Sequence, residues 1–301
     1  MIRNLLKGVV LVVFLLSLLS GCSDGEYKVI DVKIYQNTPA WELAKAVNNQ
    51  DTKRIAQIVQ KSPEVLDYQD PKYGTTLLFW AVGMEKYDAA EALLKAGANP
   101  DIISVYEGGT ALYRAAGFSF VDNQAKTDSK YVKLLLAYGA DPNIGFVGND
   151  HNNSTEIGTT PLMESIGCGF EKTKALVEAG ADINYRTEEG MTAAIQALWL
   201  ADGQISNEIW VMEYAYYLIV EKQADITKPW LGRSYEEVAP VTFLRDWFPE
   251  LDSKGYRRKM EIIAEFARQG EDYWATEIPK YTLEDIKKIY PDSWEEYIKR
   301  Y

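Results

Sequence analysis

Four stretches of this chain share one frame: Gly74-Thr75-Thr76-Leu77-Leu78, Gly108-Gly109-Thr110-Ala111-Leu112, Gly158-Thr159-Thr160-Pro161-Leu162 and Gly190-Met191-Thr192-Ala193-Ala194. A second landmark follows each of them: Gly97-Ala98-Asn99-Pro100-Asp101, Gly139-Ala140-Asp141-Pro142-Asn143, Gly180-Ala181-Asp182-Ile183-Asn184 and Gln223-Ala224-Asp225-Ile226. Thr76 and Gly97 are 21 residues apart, and Thr160 and Gly180 are 20 apart. Paired landmarks that recur at fixed spacing are the mark of an internal repeat. Thr76, Thr110, Thr160 and Thr192 are placed to cap a helix, because a threonine oxygen accepts a backbone N–H that the first turn leaves unpaired. Pro161 suits a first helical turn, where its missing donor costs nothing. Apolar stripes such as Ala92-Leu93-Leu94, Val132-Leu134-Leu135-Leu136, Ala175-Leu176-Val177 and Tyr217-Leu218-Ile219-Val220 mark a second helix in each unit. Gly97, Gly139 and Gly180 end those helices by adopting a left-handed backbone. Gln223 stands where the fourth glycine belongs, so an irregular terminus is expected there.

The pattern resembles the ankyrin repeat, a unit of about 33 residues with a turn and two helices. The resemblance implies an all-α ankyrin-repeat solenoid of about five to six helix-turn-helix units with irregular capping repeats. Residues 38–66 read as a degenerate first unit, with an inner helix from Trp41 to Val47 and an outer one from Ile55 to Val59. Terminal repeats are atypical because one face meets water. A weaker sixth unit runs from Val241 to Gly270, so the array is expected over residues 38–270. Thr282-Leu283-Glu284-Asp285 and Ser293-Trp294-Glu295-Glu296 look like helix-start boxes, which would make 271–301 a C-terminal helical cap. Residues 22–37 read as a tether, although Tyr27 to Tyr35 alternates enough for a short docked strand.

The N-terminus carries a different signal. Arg3 and Lys7 precede an uncharged run from Gly8 to Leu19, shorter than the about 20 apolar residues of a membrane-spanning helix. Such a run fits a secretory signal peptide. Leu19-Ser20-Gly21-Cys22 resembles the bacterial lipoprotein box, which implies cleavage after residue 21 and acylation of Cys22. Ser23 after that cysteine implies a lipid-anchored protein of the cell envelope, at the outer membrane and facing the periplasm.

Three stretches depart from the period. Extra residues are expected at 119–129 between two helices, at 145–157 in a long loop that includes Phe146 and His151, and at 201–207. Insertions in repeat arrays often map to the binding face. The ankyrin resemblance implies that partners meet the concave face, formed by loop tips and inner-helix ends. Carried over residue by residue, that face comprises Lys72, Tyr73, Thr75 and Met84, then Tyr106, Glu107 and Phe118. It continues through Ile157 and Thr159 to Glu188, Glu189, Met191 and Trp199. Core packing beneath the neighbouring insertions competes for Phe118 and Trp199, whereas Tyr73, Tyr106 and Met191 occupy positions that normally face solvent.

Composition narrows the chemistry. Lys plus Arg number 32 and Asp plus Glu 44, a formal net charge of −12. That argues against nucleic acid, whose affinity rests on basic side chains neutralising phosphates. With two cysteines and one histidine, no zinc site of the usual four ligands can be assembled. Gly167-Cys168-Gly169 reads as a helix-to-helix turn, and Cys168 as a small buried residue. No catalytic site, cofactor, metal or small-molecule substrate is expected. The aromatic tail from Tyr273 to Tyr301 reads as capping helices and, less directly, as an unrecognised enzyme site. The leading reading is one protein partner with a basic patch, which the array masks or scaffolds. Within it, an immunity protein that inhibits a secreted toxic effector is the specific version. A scaffold or assembly factor for resident envelope proteins is the alternative.

Overall fold

The computed structural model describes residues 28–148, 155–200, 209–231 and 236–301. Cys22 with the rest of the expected export signal, His151 and the expected 201–207 insertion lie outside the described residues.

Each first landmark starts a helix through its threonine. Thr76 Oγ1 accepts from the Phe79 amide at 3.2 Å, Thr110 from Tyr113 at 3.2 Å, Thr160 from Met163 at 3.3 Å and Thr192 from Ile195 at 3.1 Å. The resulting inner helices are α3 (Leu77–Gly83), α5 (Ala111–Ala116), α7 (Pro161–Ser165) and α9 (Ala193–Leu200). Their outer partners are α4 (Tyr87–Lys95), α6 (Lys130–Ala137), α8 (Phe170–Glu178) and α10 (Ile209–Tyr216). Ahead of them stands the first unit, α1 (Trp41–Asn48) with α2 (Thr52–Lys61). The sixth pairs a 3-10 helix (Pro240–Asp246) with α11 (Lys254–Arg268), followed by α12 (Lys280–Ile289) and α13 (Trp294–Arg300). Inner helices stack on inner and outer on outer. The buried side chains form one continuous core from Ile34 to Tyr273, with a satellite around Phe248, Ile286, Tyr297 and Tyr301 under the last helices.

The second landmark has a structural task as well. Asp67 Oδ1 accepts from the amide of Asn99, Asp101 Oδ1 from Asp141, Asn143 Oδ1 from Asp182 and Asn184 Oδ1 from Asp225, at 2.7–3.0 Å. Asn99, Asp141, Asp182 and Asp225 also accept amides two residues on within their own turns. Short acceptor side chains thus stitch the first five units along one edge, and the longer Gln269, accepting from Ile226, joins the fifth to the sixth. At the preceding position Gly97, Gly139 and Gly180 have φ of 96°, 85° and 92°. Gln223 takes φ 58° without glycine's freedom. The outer helix before it ends in a π-turn, Tyr217–Glu221, in which Lys222 donates to Tyr217 and Ala224 to Leu218. The expected irregularity is therefore a widened last turn.

Two expectations at the ends are corrected. Residues 28–37 are neither free tether nor strand: Val32–Tyr35 is a 3-10 helix capped by Asp31. Its Tyr35 is fully buried and donates to the Thr75 carbonyl at 2.7 Å. A large aromatic with a carbonyl in reach is worth more docked than solvated. At the other end, Thr282 does not cap α12, which begins two residues earlier at Lys280. Thr282 is buried inside the helix and donates to Asp246 Oδ1 instead. Ser293 precedes α13 but makes no capping bond through its side chain.

Candidate protein-binding face

The inner helices define the face by what they leave wet. In α3 every residue is buried. In α5 solvent reaches Arg114 and Ala115, in α7 Glu164, and in α9 Gln196, Trp199 and Leu200. Arg114, Glu164 and Gln196 each lie four residues after their capping threonine, so they form one row across three units. The opposite sides of these helices pack against the outer helices, so the row is the floor of the concave groove. The 119–129 insertion explains why the floor stops at α3. It turns back through a bridge between Phe118 and Ala125, and the Phe120 amide donates to the Gly83 carbonyl at 2.9 Å. The Phe120 ring lies where a Cβ of Gly83 would be. Arg114 stacks on its other side, 4.3 Å from the centroid.

The loop tips form the wall, and a few polar side chains shape them. Buried Asp70 accepts the amides of Lys72, Tyr73 and Thr75 at 2.8–3.0 Å. Thr187 takes that place in a later tip, accepting from Met191 at 2.9 Å. Neighbouring tips are joined by backbone bonds: Tyr106 to Tyr73, Val147 to Gly108 and Leu231 to Glu189, at 2.8–2.9 Å. The long loop is two paired arms, with Phe146 donating to Thr159 and Gly158 to Phe146. Asp70, Ser104 and Thr187 carry no landmark of their own. Asp70 and Ser104 each lie six residues before a capping threonine, the one signal that could have drawn attention to them, whereas Thr187 lies five before Thr192.

The expected contact residues divide accordingly. Lys72, Phe118, Ile157, Glu188, Glu189 and Trp199 are exposed. Tyr73 and Tyr106 are half-buried and meet edge to face at 4.9 Å, while Met84, Glu107, Thr159 and Met191 are also half-buried. Two residues are not surface. Thr75 is fully buried with its hydroxyl 2.9 Å from that of Ser104, because it closes the tip from inside. Phe146 is buried against Tyr113, with ring centroids 6.0 Å apart, because the arm carrying it folds down over Gly108. Phe118 and Trp199, for which core packing competed, remain 44% and 41% exposed. The insertion packs Phe120, half-buried, against the core rather than Phe118. Val105, at 71% exposure, and Val147 extend the apolar wall and were not anticipated.

The floor is charged and partly dry. Arg114 pairs with Glu107 and donates to the Phe118 carbonyl at 2.9 Å. Glu164 Oε2 accepts from the Tyr113 hydroxyl at 3.2 Å, and burial pushes the Glu164 carboxyl above its ordinary range. Lys172 is buried and donates to the carbonyls of Ala116 and Gly117 at 3.1 and 3.2 Å. That closes the end of α5, and burial draws the ammonium below its ordinary pKa. Burial pushes the Cys168 thiol up to about 11, so it is protonated at neutral pH and no nucleophile.

Comparison with known proteins agrees with this geometry. Residues 73–104 match the ankyrin repeat family model. Protein PhlB of Serratia liquefaciens is 35% identical over 153 residues, 50% of this chain and 58% of PhlB, so the match spans little more than half of that relative. The crystal structure of EF0377, an ankyrin repeat protein, aligns with a TM-score of 0.51 at 21% identity, covering 74% of this chain and 96% of that one. Helix pairs, capping threonines and bonded tips together make the fold of this chain an ankyrin-repeat solenoid.

Proposed function

We propose that this chain is a membrane-tethered, periplasm-facing protein-binding module that masks a protein partner, and that it serves as an immunity protein against a secreted toxic effector. Ankyrin repeats imply a protein–protein interaction module. The observation that carries the reading is the open groove over the units of α5, α7 and α9, walled by Val105, Val147 and Ile157 and edged by Phe118 and Trp199. Exposed apolar side chains gathered beside polar ones mark an interaction site more often than an idle surface. The acidic balance of the chain favours a partner with a basic patch, since complementary fields speed encounter and suppress wrong partners.

The tether rests on the lipoprotein box that ends at Cys22. A Cys22→Ala change should move the protein from the membrane fraction to the soluble periplasm and abolish palmitate labelling. Unchanged membrane association would remove the lipid anchor from the reading. For the immunity role, exporting the product of the neighbouring gene should poison a host cell, and co-expressing this chain should rescue it. Ile157→Asp with Val105→Asp should cancel rescue while leaving the melting temperature within about 2 °C, because both side chains are solvated. A host unharmed by that product, with envelope morphology altered on deletion, would favour the scaffold role instead.

A further inference from the structure

We propose that the Glu164 carboxylate, at the centre of the groove floor, is the seat of an arginine side chain from the protein partner. The inference rests on the concave face being the binding face. Glu164 is the only solvent-reached residue of α7 and stands between Arg114 and Gln196 in the row. Its side-chain bond comes from the Tyr113 hydroxyl, and among the described residues no ion pair includes it. The charged groups that face it are Arg114, Lys172 and Glu107. Arg114 is held by Glu107 and the Phe118 carbonyl, and Lys172 by the two carbonyls that end α5. Neither cation comes within ion-pair distance of the carboxyl group, so Glu164 is a desolvated acid with acceptor capacity left over.

The surroundings select the visitor. Gly117 lets the carboxylate lie against the backbone, where a Cβ would come within 2.3 Å of Oε1. Phe118, the next residue along the chain, leaves its ring exposed to solvent. A guanidinium is planar, permanently charged and weakly hydrated, so it can bridge a carboxylate and lie on an aromatic face together. An ammonium can do the first and is poorer at the second. Desolvated charge pairs at an interface centre are where truncation costs most.

The test uses the full chain as bait for a display library of random twelve-residue peptides, with enriched sequences then synthesised for affinity measurement. Enriched peptides should share an arginine. Replacing it by citrulline, which keeps the shape and loses the charge, should weaken binding about ten-fold or more. Glu164→Gln should cost as much, and the two losses should fail to add, which identifies them as one contact. Glu178→Gln, exposed on the outer helix α8 and away from the groove, should stay within about two-fold. The citrulline arm involves no change to the protein, so it stands even if Glu164→Gln perturbs folding. Peptides enriched without arginine, or additive losses, overturn the seat and leave the binding module standing. No enrichment at all overturns both.

Discussion

Gly83 and Gly117 occupy the same place seven residues after their capping threonines, and at both the absent Cβ is filled by a side chain from further along the chain. Phe120 takes the first and Glu164 the second. Gly83→Ala puts a methyl 2.2 Å from a Phe120 ring carbon. Overpacking of that kind costs about 1–3 kcal/mol, and urea unfolding should show a lower midpoint. Lys259 makes a different prediction. It is buried, donates to the Trp247 carbonyl at 2.7 Å, and burial draws its pKa well below the ordinary 10.5. Between that lowered value and 10.5 the unfolded chain holds a proton that the folded chain lacks, so stability rises with pH there. Above about 10 the buried tyrosines Tyr273 and Tyr301, whose pKa values burial raises, reverse the trend. Unfolding free energies from pH 7 upward should therefore climb and then fall, and Lys259→Met should flatten the climb. Little of this was legible in the sequence. The capping threonines were, because a cap is a local device. Burial of Thr75 and Phe146 was not, because it depends on which arm of a loop folds over which neighbour. Glu164 lay in plain register four residues after Thr160, but its lack of a cation depends on where Arg114 and Lys172 point.

At the scale of elements, the inner helices are five to eight residues long, too short to persist alone. Each depends on its cap and its neighbours. Thr160→Ala removes the oxygen that starts α7, and should cost about 1 kcal/mol. Gln223→Gly acts in the opposite sense. The left-handed conformation at φ 58° costs a side-chain-bearing residue about 1–2 kcal/mol, so the change should stabilise by about 1 kcal/mol. Amide exchange in the turn after the π-segment should slow with it, and unchanged exchange would count against strain at that turn. Helix identity was legible in the four units whose landmarks bracket a helix pair. Helix ends were less so: α12 begins two residues before Thr282, whose hydroxyl donates to Asp246 instead of accepting a first-turn amide.

For the whole molecule, units touch only their neighbours, so stability is a sum of unit and interface contributions. The Asx bonds belong to the interfaces. Asn143 Oδ1 accepts from Asp182, and its Nδ2 donates to the Gly180 carbonyl at 3.3 Å. Asn143→Ala removes both links, worth about 1–2 kcal/mol together. The single unfolding transition should broaden, with amides of α9 exchanging at lower denaturant than those of α3. The repeat count and the long insertions were open to inspection in the chain. The extent of the groove was not, because the 119–129 insertion covers α3 only by folding backward.

The edge along which Asp67, Asp101, Asn143 and Asn184 each hold the following unit also decides how the molecule answers a mechanical load. The opposite margin is held by scattered bonds instead, Phe120 to Gly83, Lys172 to Ala116 and Gly117, and Gly169 to Tyr214, so the regular row of rivets lies on one side only. A pull along its length would shear the rivets one by one. Each release would pay out roughly 110 Å of chain for a unit of about 33 residues. Such a protein yields in steps and recoils, a property that would suit a body held at the end of the membrane anchor proposed above.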